Sequence, residues 1–178
     1  MQMAGNQGSR SWGWVRPLAW AGAAALLLLP LIAMQFTSEV DWTASDFLFA
    51  ALLIGGVGLA FELALRISSS WAYRGGAALG LAAGFFLIWA NAAVGYIGSE
   101  DNPYNFAFFG VVAIALAGAL VSAFRAKGMA LAMLAAGIAH AAAGFIGAAQ
   151  DPATIPITIA FVGLWLGSAR LFQIAAKE

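Results

Sequence analysis

Long apolar runs separated by short polar segments dominate the chain. A helix that crosses the roughly 30 Å hydrocarbon core of a bilayer needs about 20 apolar residues. The segments that meet this requirement are Leu18–Phe36, Asp46–Ile67, Ala77–Gly98, Phe106–Phe124, Met129–Ala149 and Ile155–Phe172. Each run is continuous, whereas the strands of a membrane barrel alternate apolar and polar residues. The pattern therefore predicts an all-α, polytopic membrane protein with six transmembrane helices.

The polar connections between these runs are too short to fold by themselves. We therefore expect one transmembrane domain over residues 17–174, with short cytoplasmic tails at 1–16 and 175–178. In an alternative interpretation, Arg10, Arg16 and the first apolar run form a cleaved signal peptide. Leu31-Ile32-Ala33 is a poor small-x-small cleavage site, which favours retention of the first span.

The charged residues predict an orientation. With the N-terminus inside, all eight Lys and Arg residues fall at the inner side, as expected for short cytoplasmic loops. The acidic residues that fall at the outer side are Glu39, Asp41, Asp46, Glu100, Asp101 and Asp151. This distribution predicts that both termini lie in the cytoplasm.

Composition narrows the function classes. Residues are 63% hydrophobic and 9% charged, whereas soluble domains carry about 25% charged residues. The net charge of zero gives no indication of a nucleic-acid partner. With no Cys and one His, thiol catalysis, Cys-based metal clusters and bis-His haem within one chain are excluded. No catalytic or metal-binding motif is present, so a non-enzymatic role is favoured, and the cofactor stays unknown.

The chain also shows signs of a duplicated helical hairpin, over about 46–98 and 105–149. The clearest correspondence relates Asn91–Gly98 to His140–Gly147, including a shared Gly-aromatic-Ile-Gly ending. Asn102-Pro103 then corresponds to Asp151-Pro152. Both hairpins run in the same direction, so the repeat predicts a pseudo-twofold axis along the membrane normal.

Polar residues within the spans are the candidate functional residues, because such groups are expensive in a bilayer. Asn91 and His140 occupy equivalent positions of the repeat and are predicted to face a common interior. They either form a structural hydrogen bond or bind a small polar ligand. Glu62 and Arg66, four residues apart on one helical face, either pair structurally or form a coupling site.

The outer connection that contains Glu100 and Asp101 concentrates oxygen atoms. It lacks the alternating ligand spacing of a calcium loop. A solvated turn is therefore the favoured interpretation, and an outer acidic patch is the alternative.

Two segments resemble a group of small, uncharacterised bacterial multi-pass inner-membrane proteins. The segments are Glu39-Val40-Asp41-Trp42-Thr43 with Asp46-Phe47, and the run from Trp89 to Pro103 (WANAAVGYIGSEDNP). The resemblance covers roughly residues 37–150. It implies a bacterial membrane protein and assigns no activity and no site.

Three functions stay open at this point. The favoured one is a non-enzymatic accessory or scaffold subunit of a membrane complex. The second is a small oligomeric transporter or channel with a polar path near Asn91, His140 and Glu62. The third is a quinone- or haem-binding redox protein that uses His140. The expected partners are the lipid bilayer and either a second copy of the chain or a larger membrane complex.

Overall fold

In a computed structural model, residues 15–178 are described, and they form six α-helices and one 3₁₀ turn. The helices are α1 (Val15–Ala33), α2 (Ala44–Ile67), α3 (Trp71–Ala93), α4 (Phe106–Val121), α5 (Ala126–Ala148) and α6 (Thr154–Ala175), and the 3₁₀ turn is Pro103–Asn105. All six helices are long and apolar enough to cross a membrane, with α4 counted together with the turn. The predicted all-α fold with six spans is confirmed. Residues 1–14 of the predicted tail, including Arg10, lie outside the described residues.

The outer surface of the helices is strongly apolar. Large side chains that are more than half exposed include Leu116, Leu120, Leu131, Ile138 and Ile159. Such a surface suits contact with lipid tails, and in water it would be a large exposed apolar patch. The protein is therefore an integral membrane protein.

The chain forms two compact units that divide after Leu59. In the first unit, α1 provides Trp20, whose ring lies 3.0 Å from the position that a Cβ on Gly58 of α2 would occupy. The α2 helix begins with a local cap: Asp46 Oδ2 accepts hydrogen bonds from the Thr43 amide and the Thr43 hydroxyl, each at 2.7 Å. Both bonds run from Thr43 to Asp46, and they satisfy an amide donor that the helix start would leave unpaired.

In the second unit, α6 packs along both α5 and α3, and α4 packs along α5. Small residues allow this close approach. A Cβ on Gly80 would lie 2.9 Å from Met133 Sδ and 3.0 Å from Ser168 Oγ. The Ser168 hydroxyl also donates a 2.7 Å hydrogen bond to the Gly76 carbonyl, joining α6 to α3. The buried alanines of this unit are Ala64, Ala72, Ala77, Ala83, Ala115, Ala119, Ala130, Ala132, Ala136 and Ala169.

The third helix is displaced toward the N-terminus relative to the prediction. It was expected over Ala77–Gly98, and it extends over Trp71–Ala93. Ser70 caps its start by accepting a 3.0 Å hydrogen bond from the Tyr73 amide. At the other end, Gly95 has a φ of +76° and Gly98 a φ of +68°, a conformation that ends a helix and favours glycine.

This displacement separates the two segments that the repeat would relate. Asn91–Gly98 leaves the helix after Ala93, whereas His140–Gly147 stays helical within α5. The same type of sequence thus adopts two conformations. The duplicated hairpin stays a prediction.

The α4–α5 connection is fixed to the start of α3. Ala123 (φ 49°) and Phe124 (φ 59°) both adopt a left-handed conformation, which costs energy in residues other than glycine. The Phe124 amide donates to the Ala119 carbonyl, and the Phe124 carbonyl accepts a 2.7 Å hydrogen bond from the Tyr73 hydroxyl. These bonds support a turn that local preference alone would not select.

Candidate buried polar site

The segment between α3 and the 3₁₀ turn folds back against the helices of the second unit. Tyr96 and Ile97 within it are only 6% and 2% exposed. The positive φ angles of Gly95 and Gly98 bracket these two residues. A Cβ on Gly95 would overlap the backbone of Ser99 and Glu100, so only glycine fits there. The segment therefore turns away from the axis of α3 and buries the aromatic side chain of Tyr96.

Asn105, at the end of the 3₁₀ turn, holds this segment in place. Its Oδ1 accepts hydrogen bonds from the amides of Tyr96 (3.1 Å) and Ile97 (2.8 Å). Its Nδ2 donates to the Ser99 carbonyl at 2.7 Å. The side chain is 4% exposed, so it satisfies backbone groups that water reaches poorly.

The Tyr96 hydroxyl joins two helices through a group that we call the His140 cluster, made of Tyr96, His140 and Thr158. It lies 3.0 Å from His140 Nε2 on α5 and 3.2 Å from Thr158 Oγ1 on α6. His140 is fully buried and Thr158 is 2% exposed. Burial raises the pKa of the Tyr96 phenol, and the hydrogen bond with Thr158 offsets part of this rise. The phenol therefore stays protonated near neutral pH and keeps its donor.

Aromatic rings enclose the cluster. The Phe161 ring stacks on His140 with centroids 5.3 Å apart, and Phe108 lies at the same distance in a tilted arrangement. The Tyr96 and Phe108 ring centroids are 3.9 Å apart. Three uncharged aromatic rings thus lie around His140.

Gly144 allows α6 to reach the cluster. It lies one turn after His140 on α5, and a Cβ there would overlap Thr158 Oγ1 and Cγ2. A similar close approach occurs where Ile97 packs against Gly147. The glycines of α5 therefore set the distance at which Thr158 can contact the Tyr96 hydroxyl.

Asn91 is buried, as its candidate role requires, but its bonding is local. Its Nδ2 donates a 2.8 Å hydrogen bond to the Leu87 carbonyl one turn earlier. Its Oδ1 has no hydrogen-bond partner among residues 15–178. The direct partner of His140 is Tyr96 rather than Asn91.

Glu62 and Arg66 lie together near the end of α2, with 3.8 Å between Glu62 Oε2 and Arg66 Nη2. The Arg66 side chain is 74% exposed and that of Glu62 19%. The geometry is that of a loose i, i+4 pair, which stabilises a helix by a few tenths of a kcal/mol.

Glu100 and Asp101, which the sequence predicts to lie at the outer side, are both exposed, in the turn that leads to the 3₁₀ segment. The adjacent Asn102 side chain accepts from the Tyr104 amide and caps that segment, as Asn-Pro predicts. Within the described part of the chain, no group of three or more His, Asp or Glu side chains is placed to hold a metal ion.

Sequence reasoning missed three residues of this site: Tyr96, Asn105 and Thr158. Glycines on both sides of Tyr96 were the available signal, since paired glycines at a helix end favour a turn over a longer helix. Asn105 and Thr158 carry no such signal, because their roles depend on contacts with distant segments.

No protein-family model, curated protein or solved structure matches this chain.

Proposed function

We propose that the protein is a non-enzymatic accessory or scaffold subunit of a larger membrane complex. We further propose that it lies in a bacterial inner membrane with both termini in the cytoplasm. The orientation rests on the basic residues, because alternate crossing of six helices puts all eight at one side.

One observation carries the functional proposal: on α3 and α5, the buried residues next to the candidate polar groups Asn91 and His140 are apolar. Along α3, Leu87 and Ala83 lie one and two turns before Asn91, and both are fully buried. Along α5, Ala136 and Met133 stand in the same relation to His140, at 0% and 5% exposure. A polar path would need a continuous series of hydrogen-bonding groups at this depth. The α6 groups nearby are Trp165 and Ser168, and the Ser168 hydroxyl already donates to the Gly76 carbonyl.

The bonding of the candidate groups supports the same conclusion. Glu62 lies beside Arg66, and His140 uses Nε2 to contact Tyr96. The first contact stabilises a single helix and the second joins the segment after α3 to α5, and neither requires a transport role. Helices with an apolar, lipid-facing surface can pack beside another membrane protein.

Native mass spectrometry after gentle extraction from the native membrane tests the proposal. We expect the chain in a stoichiometric assembly with at least one different membrane protein. A homo-oligomer with no added mass would contradict the accessory role and favour the transporter. A bound haem or quinone mass on the isolated chain, lost in His140→Gln, would contradict it in favour of the redox function.

A further inference from the structure

Three buried polar atoms of the second unit lack a hydrogen-bond partner among the described residues: Asn91 Oδ1, His140 Nδ1 and Trp165 Nε1. The three residues are 5%, 0% and 1% exposed. An unsatisfied buried donor or acceptor costs about 1–3 kcal/mol. Lipid tails provide no hydrogen bonds, so such atoms within a membrane need a partner from a bound molecule. Three such atoms on the packed helices α3, α5 and α6 indicate a binding site.

The three residues lie along the helices that pack together as α3, α5 and α6. Phe161 stacks on His140, and Trp165 follows Phe161 by one turn of α6. The Trp165 Cβ lies 3.2 Å from the position that a Cβ on Gly137 would occupy, one turn from His140 on α5. Trp165 is therefore the neighbour of His140 at the next level of the α5–α6 interface.

The Trp165 ring then reaches toward α3. Its far edge lies 4.0 Å from the position that a Cβ on Gly84 would occupy. Asn91 is two turns farther along α3 from Gly84, on the same side of the helix. The unpartnered atoms thus belong to one region about two turns long.

The chemistry of the three atoms selects the ligand class. Trp165 Nε1 can only donate, and Asn91 Oδ1 can only accept. The orientation of the Asn91 amide is fixed, because Nδ2 must be the atom that donates to the Leu87 carbonyl. A carbonyl ligand would satisfy the donor and leave the Asn91 oxygen unpaired. A hydroxyl group both donates and accepts, and it satisfies His140 Nδ1 in either tautomer.

The rings around His140 carry no charge, which favours a neutral ligand over an ion. We propose that the α3–α5–α6 core binds a neutral hydroxyl group that hydrogen-bonds His140 Nδ1, and that Asn91 Oδ1 and Trp165 Nε1 provide further hydrogen-bonding positions for bound molecules along the same region. The hydroxyl belongs either to water or to a membrane-dissolved quinol or phenol. Both share the same hydrogen-bonding chemistry. Bound water is compatible with the proposed accessory role, whereas a bound quinol would favour the redox function over it.

His140 is the single histidine of the chain, so ¹⁵N-histidine labelling reports on this site without assignment. The full-length protein is placed in nanodiscs of phosphatidylcholine, whose headgroup lacks a hydroxyl, and the imidazole ¹⁵N and ¹H signals are recorded by NMR. In the first sample, water is the only source of hydroxyl groups besides the protein. In a second sample a short-tailed quinol is titrated in.

If water is the ligand, the first sample shows a hydrogen-bonded Nδ1 with a magnetisation-transfer peak to water. If a membrane-dissolved hydroxyl is the ligand, the His140 signals shift with the quinol and saturate. Either result supports the site and identifies the source. An Nδ1 signal typical of a free nitrogen in both samples, or a bond from Nδ1 to another protein side chain, would overturn the proposal.

Two variants sharpen the test. Asn91→Leu removes the acceptor while keeping a side chain of similar size, and we expect it to shift the Nδ1 signal or to weaken quinol saturation about tenfold. Ser168→Ala is the matched control, because Ser168 is also fully buried in this core but donates to the Gly76 carbonyl. An unchanged Nε2 signal confirms that each variant keeps the Tyr96 contact. Equal effects of both variants on Nδ1 would contradict the assignment of Asn91 to the site.

Discussion

Tyr96 connects three separate parts of the chain, two through its hydroxyl group and one through its backbone amide. It contacts His140 on α5 and Thr158 on α6, while its own amide is held by Asn105. At the scale of single residues, the buried polar groups are therefore linked by the short segment between α3 and the 3₁₀ turn. Two substitutions test this arrangement.

Tyr96→Phe removes the hydroxyl and keeps the ring. We expect it to lower the free energy of unfolding by about 1–2 kcal/mol, because His140 Nε2 and Thr158 Oγ1 both lose a partner. It should also change the Nε2 signal of His140. Unfolding in mixed micelles and ¹⁵N-histidine spectra are the measurements. Tyr104→Phe, at a 53% exposed tyrosine, is the control, and an equal effect there would contradict the special role of Tyr96.

Asn105→Ala leaves the buried amides of Tyr96 and Ile97 without their acceptor. We expect a loss of about 2 kcal/mol in the free energy of unfolding and faster hydrogen exchange at these two amides. Asn102→Ala is the matched control, since Asn102 is only partly buried and caps a three-residue turn. Unchanged exchange at residues 96 and 97 in Asn105→Ala would refute the holding role of Asn105.

At the scale of the elements, glycine positions decide how closely α5 and α6 approach. Gly144 lies directly against Thr158, whereas Gly163 on α6 has nothing within 4 Å of the position a Cβ would take. Glycine is therefore required for close packing at position 144 and is not required for it at position 163. Only the contacts distinguish them.

Gly144→Ala introduces a methyl group that overlaps Thr158. We expect a destabilisation of about 1–3 kcal/mol, typical of overpacked cores, together with loss of the Tyr96–Thr158 hydrogen bond. Gly163→Ala should leave the midpoint of unfolding unchanged or raise it, because alanine favours helix over glycine by up to about 1 kcal/mol. Equal midpoints for the two variants would contradict the described α5–α6 interface.

The sequence predicted the elements well and the site only in part. Apolar runs of fixed length place helices reliably, because the bilayer requires backbone hydrogen bonds within each span. The run Ala77–Gly98 misled at one end because Val94, Tyr96 and Ile97 are as apolar as helix residues. Their folded-back conformation is held by Asn105, which lies outside this apolar run and therefore does not affect the hydrophobic pattern. Asn91 and His140 were recognised as buried polar groups, whereas Tyr96 was not recognised as the partner of His140.

At the scale of the whole molecule, the absence of cysteine from the sequence makes the topology directly testable. Ser69 and Ser99 are both exposed, in connections at opposite ends of α3. We expect Ser99→Cys to react with an impermeant maleimide in intact cells, and Ser69→Cys to react only after the membrane is opened. Labelling of both from the same side would contradict the six-span arrangement.

The central claim is that the intramembrane polar groups stabilise the bundle and do not conduct. Proton flux in proteoliposomes under an imposed pH gradient tests this claim most directly. The account predicts that the wild-type protein, Glu62→Gln and His140→Gln all leak protons no faster than protein-free liposomes. Flux well above that background in the wild type, lost in Glu62→Gln or His140→Gln, would contradict it.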